Sequence, residues 1–420
     1  MNNLIKLGVI GLLVISAATA QADVYIDGFL QNLQGARLDE TNPTTTEMTA
    51  SETRLQMRAE HFGDGAEFFG RLDFIYDGAD MSTYEWELRE GYTKFRLGQK
   101  VDVKLGRQIL TWGTGDLIFI NDVFAKDYQS FFVGRDDQYL KAPQDAMRID
   151  AYLGLGDFSL AWTPRFTPNR LPTGRKLSYF NGEQIVGDGN EFIVPVPESK
   201  FENGEFAARF SRMFGSFNTA LYFYKGFYKN PMGAEIVMIE AIPVPIPLYP
   251  RLNIYGASIR GPLAGGILWV EGGYYDSRDD EDGDDPLMPN SQASGMIGFE
   301  RQVASNLTIN AQWLAEYMID HDIYSGQNEV NGMYVRDEVR HMVTSRITKL
   351  LMDELLTLSA FVFYSPTDED GYARFSARYK YSDELTLTAG GNFFDGNHEA
   401  TEFGQFQRND NAYVKVTYGF

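Results

Sequence analysis

From residue 53 to its last residue the chain keeps returning to one pattern, roughly ten residues of alternating apolar and polar side chains followed by a turn. In 53–60, Leu55, Met57 and Ala59 alternate with Arg54, Gln56, Arg58 and Glu60. In 66–77, Phe68, Leu72 and Phe74 alternate with Glu67, Arg71 and Asp73. In 306–316, Leu307, Ile309, Ala311 and Trp313 alternate with Thr308, Asn310, Gln312 and Glu316. In 372–381, Ala373, Phe375, Ala377, Tyr379 and Tyr381 alternate with Arg374, Ser376, Arg378 and Lys380. A period of two sends successive side chains to opposite faces of a strand, so the chain reads as all-β, and what each face meets becomes the question.

The connections answer it. Short ones fall near 62–66, 96–100, 154–156, 214–216, 261–265, 302–306, 350–354 and 382–384. Long ones fall near 38–52, 77–84, 110–145, 165–204, 229–250, 276–291, 318–339, 365–371 and 395–409, and the two kinds alternate. Short turns at one rim and long loops at the other, with an even count of about 18 antiparallel strands, are the marks of a transmembrane β-barrel. A soluble sandwich also alternates, but its polar face meets bulk water. Here the apolar segments end in aromatics such as Tyr379 and Tyr381, which suits the girdle at a membrane interface. No internal repeat and no second domain is visible.

Both ends of the chain agree. Lys6 precedes the apolar run Leu7 to Ile15 and small residues ending in Ala20-Gln21-Ala22, so 1–22 reads as a signal peptide and 23–420 as the barrel. That apolar run is too short to span a bilayer, and no later run reaches the length of a membrane helix. The last residues, 411–420, put Val414, Val416, Tyr418 and Phe420 on one face and Tyr413, Lys415, Thr417 and Gly419 on the other.

One connection stands apart. The stretch 110–145, the third long loop, is far beyond the length of ordinary connections, and such loops are functional or disordered. Trp112, Phe119, Phe124, Tyr128, Phe131, Phe132 and Tyr139 argue for burial, and Asp116, Asp122, Asp127, Arg135, Asp136 and Asp137 for water or partners. A segment both apolar and charged fits a plug folded into a wet lumen. Asp122 is placed to cap a short helix carrying Val123, Phe124 and Tyr128. The expectation is that 112–140 narrows the bore, with its acids facing the aqueous path or pairing with wall arginines such as Arg54, Arg58 or Arg374.

The final strand, NAYVKVTYGF, resembles the C-terminal targeting strand of Gram-negative outer-membrane proteins, and the whole mature chain resembles an outer-membrane porin-type barrel. The loop blocks GRQILTWGTGDLIFIND and GRDDQYLKAP, with TPRFTPNRLPTGRKLSYFN at 163–181, resemble an uncharacterised barrel family distantly similar to alginate-export-type channels. The resemblance implies residence in the bacterial outer membrane among lipids including lipopolysaccharide, and insertion by the barrel assembly machinery through the last strand. It does not name a solute.

With the apolar face toward lipid, the lumen is lined by Arg54, Arg58, Arg71, Arg148, Arg374 and Arg378, with Arg209, Arg346, Lys380 and Lys415. Opposite them stand acids including Glu60, Glu67, Asp73, Asp150, Glu205, Glu271, Glu300 and Glu316. Two readings stay open: an arginine ladder that steers anions, and cross-strand ion pairs that stiffen the wall. The run DSRDDEDGDD at 276–285 lacks the ligand spacing of an EF-hand and reads as a solvated acidic loop. Two loops are oddly apolar, at 192–197 and 236–248, where prolines prevent pairing as central strands. They either cover the barrel mouth or admit an amphipathic solute.

Chemistry has little footing. There is no cysteine, and His61, His321, His341 and His398 show no nucleophile and base in a catalytic spacing. No enzyme activity, cofactor, metal site or nucleic-acid partner is expected. The sequence points to a channel for a small solute, anionic or amphipathic. The competing readings are a conduit for a lipid-like molecule and a structural sheath around a partner protein.

Overall fold

The computed structural model describes residues 24–63, 65–79, 83–190, 194–331 and 334–420. The segment 1–22 and the apolar pair Phe192 and Ile193 lie outside the described residues.

The strands follow in chain order: β1 (Val24–Arg37), β2 (Met48–Phe62), β3 (Glu67–Asp77), β4 (Thr83–Leu97), β5 (Val101–Gln108), β6 (Gln144–Leu153) and β7 (Gly156–Thr163). After a small hairpin of β8 (Tyr179–Phe180) and β9 (Ile185–Val186) come β10 (Glu205–Phe214) and β11 (Phe217–Phe227). A second hairpin, β12 (Gly233–Ile239) and β13 (Ile242–Leu248), precedes β14 (Arg251–Leu263), β15 (Gly266–Ser277), β16 (Gln292–Ala304) and β17 (Leu307–Met318). The chain ends with β18 (Val339–Leu351), β19 (Leu356–Ser365), β20 (Asp370–Lys380), β21 (Leu385–Gly396) and β22 (Asn411–Gly419). Excluding the two hairpins, these form one 18-stranded sheet in which each wall strand pairs antiparallel with its neighbours in the chain. β1 pairs with β22, so the sheet closes on itself and leaves no edge.

The alternation read from the sequence sets the two faces of this wall. Met57, Phe74, Trp313, Phe375, Val414, Val416 and Tyr418 are exposed, while their neighbours Arg54, Gln56, Asp73, Gln312 and Lys415 are buried. An apolar surface all round the outside is what a hydrocarbon solvent selects. All eight expected short turns are found at one rim. At the other rim, two connections expected to be long are brief, 78–82 and 366–369. The prolines of 236–248 have the foreseen effect, since that segment pairs only within its own hairpin, outside the wall.

The hydrophobic cores lie inside the barrel. One joins Ile118, Ile120, Phe131, Phe132, Val133 and Leu140 of the third loop to inward residues of the wall such as Leu33, Trp269, Met296, Phe361 and Tyr372. A second joins Leu110 and Phe124 to Ala146, Ala161, Ala207, Leu252 and Ile254.

Candidate functional site

The third loop, 109–143 between β5 and β6, is held by wall strands on every side. Toward β17 and β18, Asp116 receives two hydrogen bonds from Arg346, at 2.7 and 3.0 Å, and its backbone N–H donates to Gln312 Oε1 at 2.8 Å. Toward β15, Glu271 accepts from the N–H groups of Thr114 (2.5 Å) and Asn121 (2.8 Å) and from both their side chains. Toward β2, Glu52 accepts from Arg135 at 2.5 Å. Toward β20 and β22, Asp137 pairs with Arg374 at 2.9 Å and Asp136 with Lys415. Toward β4, Arg89 donates to the carbonyls of Gln138 (3.1 Å) and Lys141 (3.0 Å). Tyr139, 1% exposed, lies with its ring 4.2 Å from the guanidinium of Arg54 and 4.8 Å from that of Arg89, a double cation–π clamp.

Aromatic residues supply the rest. Phe132 meets Tyr372, Phe394 and Phe406 with ring centroids 5.1–5.3 Å apart. Trp112 sits edge-on to Phe124 at 5.1 Å and faces Tyr222 of β11 at 6.3 Å. These separations suit favourable aromatic pairing.

The structure sorts the expected site residues. Asp116, Asp136, Asp137 and Arg135 do pair with the wall. Asp122 does not: it binds Lys126 (3.1 Å) and Thr111 (2.8 Å) of its own loop. It also caps no helix. The helix is α1 (Tyr128–Phe132), and Asp127 caps it by accepting from the N–H of Ser130 at 2.8 Å. A first turn needs its acceptor three residues before the orphan N–H, which Asp127 satisfies and Asp122 does not. Asp127 also binds Arg170 (3.2 Å) of the connection 164–204, so the third loop is tied to the segment 163–181. The ammonium of Lys126 is buried; desolvation pulls its pKa down against the attraction of Asp122.

The arginines of the wall are largely neutralised. Arg54 lies between Glu52 and Asp73, Arg58 binds Asp27 (2.7 Å), Arg71 binds Glu90 (2.6 Å) and Arg148 binds Asp150 (2.9 Å). Of the expected partners for the loop acids, Arg374 is one; Arg54 is taken by Glu52 of its own strand and Asp73 of β3, and Arg58 by Asp27 of β1. Arg378 is exposed and forms no ion pair among the described residues. Sequence reasoning did not single out Glu52, or Arg340, which binds Glu316 (2.9 Å), Glu402 (2.7 Å) and Asp368. Both are on inward positions of strands, the one signal that could have marked them.

Above the loop, on the long-loop side, opens a cavity of about 810 Å³. Leu117, Phe119, Tyr128, Phe131, Phe132 and Leu140 of the loop line it, with Phe403 and Phe406 from the connection 397–410. The Arg340 cluster stands at its side, and Met232, Leu287 and Met288 at its lip. The β12–β13 hairpin starts at that lip, with the N–H of Ala234 donating to Leu287 O at 2.9 Å, and its Ile236, Met238 and Ile242 are exposed. It therefore does not pack on the third loop. In the acidic loop, no group of three or more His, Asp or Glu is placed to hold a metal among the described residues.

Solved structures place this architecture. The wall aligns with Acinetobacter baumannii OccAB3 (TM-score 0.54, 10% identity, covering 95% of this chain and 99% of that one). It aligns with Pseudomonas aeruginosa OccK5, or OpdH (0.54, 10%, 95% and 98%), and with Pseudomonas aeruginosa OccK2, or OpdF, solved in complex with glucuronate (0.55, 10%, 95% and 98%). The fold is that of the bacterial outer-membrane porins. No family model and no curated protein sequence matches the chain. The resemblance to alginate-export-type channels is not carried by these matches.

Proposed function

We propose that the protein is a bacterial outer-membrane channel for a small solute and that loop 109–143 forms its constriction. The observation that carries this reading is the ring of anchors. Asp116, Glu271, Glu52, Asp136 and Asp137 tie one loop to β2, β15, β18, β20 and β22, and a loop tied to opposite walls of a closed barrel lies across the bore. The acids of the loop and the basic groups of the wall face each other there, so a solute passing between them meets a strong field in a region of low dielectric. Because most wall arginines are ion-paired, the reading favours selection by fit and amphipathic character over a bare attraction for anions. A sheath around a partner protein would need the space the loop occupies.

Planar-bilayer conductance of the purified barrel tests this. Wild-type protein should give small, discrete openings, and removal of residues 117–138 should give larger ones with weaker ion selectivity. Equal conductance and selectivity in both would put the constriction elsewhere.

A further inference from the structure

We propose that the cavity above the loop is a binding site for an amphipathic cation, a molecule with an aromatic or branched apolar body and an amine or quaternary ammonium head, which docks there before crossing the constriction. This rests on the channel reading and adds the class of solute.

Size and lining come first. At about 810 Å³ the cavity lies within the roughly 300–1,000 Å³ of small-molecule sites. Phe119, Tyr128, Phe132, Tyr275, Phe403 and Phe406 give it a surface of aromatic faces and edges. Such faces bury an apolar body and attract a cation through their quadrupoles.

Charge decides the head group. Arg340 is shared by Glu316, Asp368 and Glu402, three carboxylates on one guanidinium. Glu402 is half-exposed and gives Arg340 only its Oε2; its Oε1 accepts no hydrogen bond from any described residue. Arg336 also lines the cavity and offsets part of this charge, and it makes no ion pair among the described residues. The connections that flank the mouth are more one-sided: 278–291 carries six carboxylates against one arginine, and 319–338 carries five against one. An acidic rim over an apolar pocket concentrates cations and repels anions. The body then sits on the aromatic floor with the head near Glu402.

The test uses three probes on the full barrel in planar bilayers, added on the long-loop side. Benzyltrimethylammonium has body and head, tetramethylammonium the head alone, and 3-phenylpropionate a similar body with the opposite charge. Half-block by benzyltrimethylammonium should occur at a concentration at least about tenfold below either control. Glu402→Gln should raise its half-blocking concentration, with heat-modifiable migration checking that the barrel is folded. Equal block by all three probes, or strongest block by the anion, overturns the site while the channel reading stands. If the protein conducts under no condition the channel reading fails. Binding is then read by isothermal titration of the barrel in nanodiscs, where no preference for benzyltrimethylammonium overturns this proposal as well.

Discussion

Gly28 and Phe420 exchange both backbone hydrogen bonds, each 3.0 Å from N to O, and so close the barrel at its short-turn rim. The ring of Phe420 lies over Gly28, where a Cβ would come within 2.9 Å of that ring and 2.2 Å of the carbonyl oxygen of Gln56. The second distance involves backbone, which cannot yield without breaking the β1–β2 ladder. Gly28→Val should therefore impair closure as strongly as Phe420→Ala, since an open seam leaves backbone groups unpaired at several kcal/mol each in lipid. Outer-membrane yield of heat-modifiable barrel measures both, and a normal yield of either variant would remove this account of the seam.

Charge changes at the loop tip should do more than alter selectivity. Asp136 and Asp137 hold Lys415 and Arg374, so Asp136→Lys with Asp137→Lys sets like charges against each other and frees the tip from the wall. Single-channel conductance should rise and ion selectivity should shift toward anions together. The conservative pair Asp136→Asn and Asp137→Asn, which keeps some hydrogen bonding, should lie between the two.

The same anchor gives a pH dependence. Burial pushes the Asp136 carboxyl upward, but the Lys415 ammonium and hydrogen bonds from Lys415 and Gln31 outweigh it and hold the group below its ordinary range. A lowered folded value means that the stabilisation is complete above the free aspartate value of about 3.9 and is lost as pH falls through the lower folded value. Openings should thus keep their wild-type size down to about pH 4 and grow below it. Asp136→Asn should abolish that step.

Glu52 is 1% exposed and holds both Arg54 (2.7 Å) and Arg135 (2.5 Å). Glu52→Ala leaves Arg54 with Asp73 but takes the ionic partner from Arg135, and removing one member of a buried pair costs about 3–5 kcal/mol. The loss should appear as a lower denaturation midpoint, and Glu52→Gln should lose less.

Phe132 is 5% exposed and touches aromatic rings from β20, β21 and the connection 397–410. Phe132→Ala should cost about 3–5 kcal/mol of loop docking while leaving the wall ladder intact. Limited trypsin digestion should then cut at Lys126, which is buried in the wild type, with the barrel core still resistant.

The wall was legible from local pattern alone. Alternation is a local property: Arg54, Gln56 and Asp73 face inward and Met57 and Phe74 outward because a strand has a period of two and only one face can meet lipid. Strand number, closure through Phe420 and the unusual third loop were legible for the same reason. The partners of the inward charges were set only by the folded barrel. Asp116 meets Arg346 across 230 positions and Asp136 meets Lys415 across 279, and no local pattern encodes which inward cation a folded loop will reach. Asp122 and Asp127 show the limit most plainly. Five residues apart and both acidic, they part because the backbone turns into a helix after Asp127 and not after Asp122. That turn is set by the burial of Phe131 and Phe132 against the far wall, a contact that exists only once the barrel has closed.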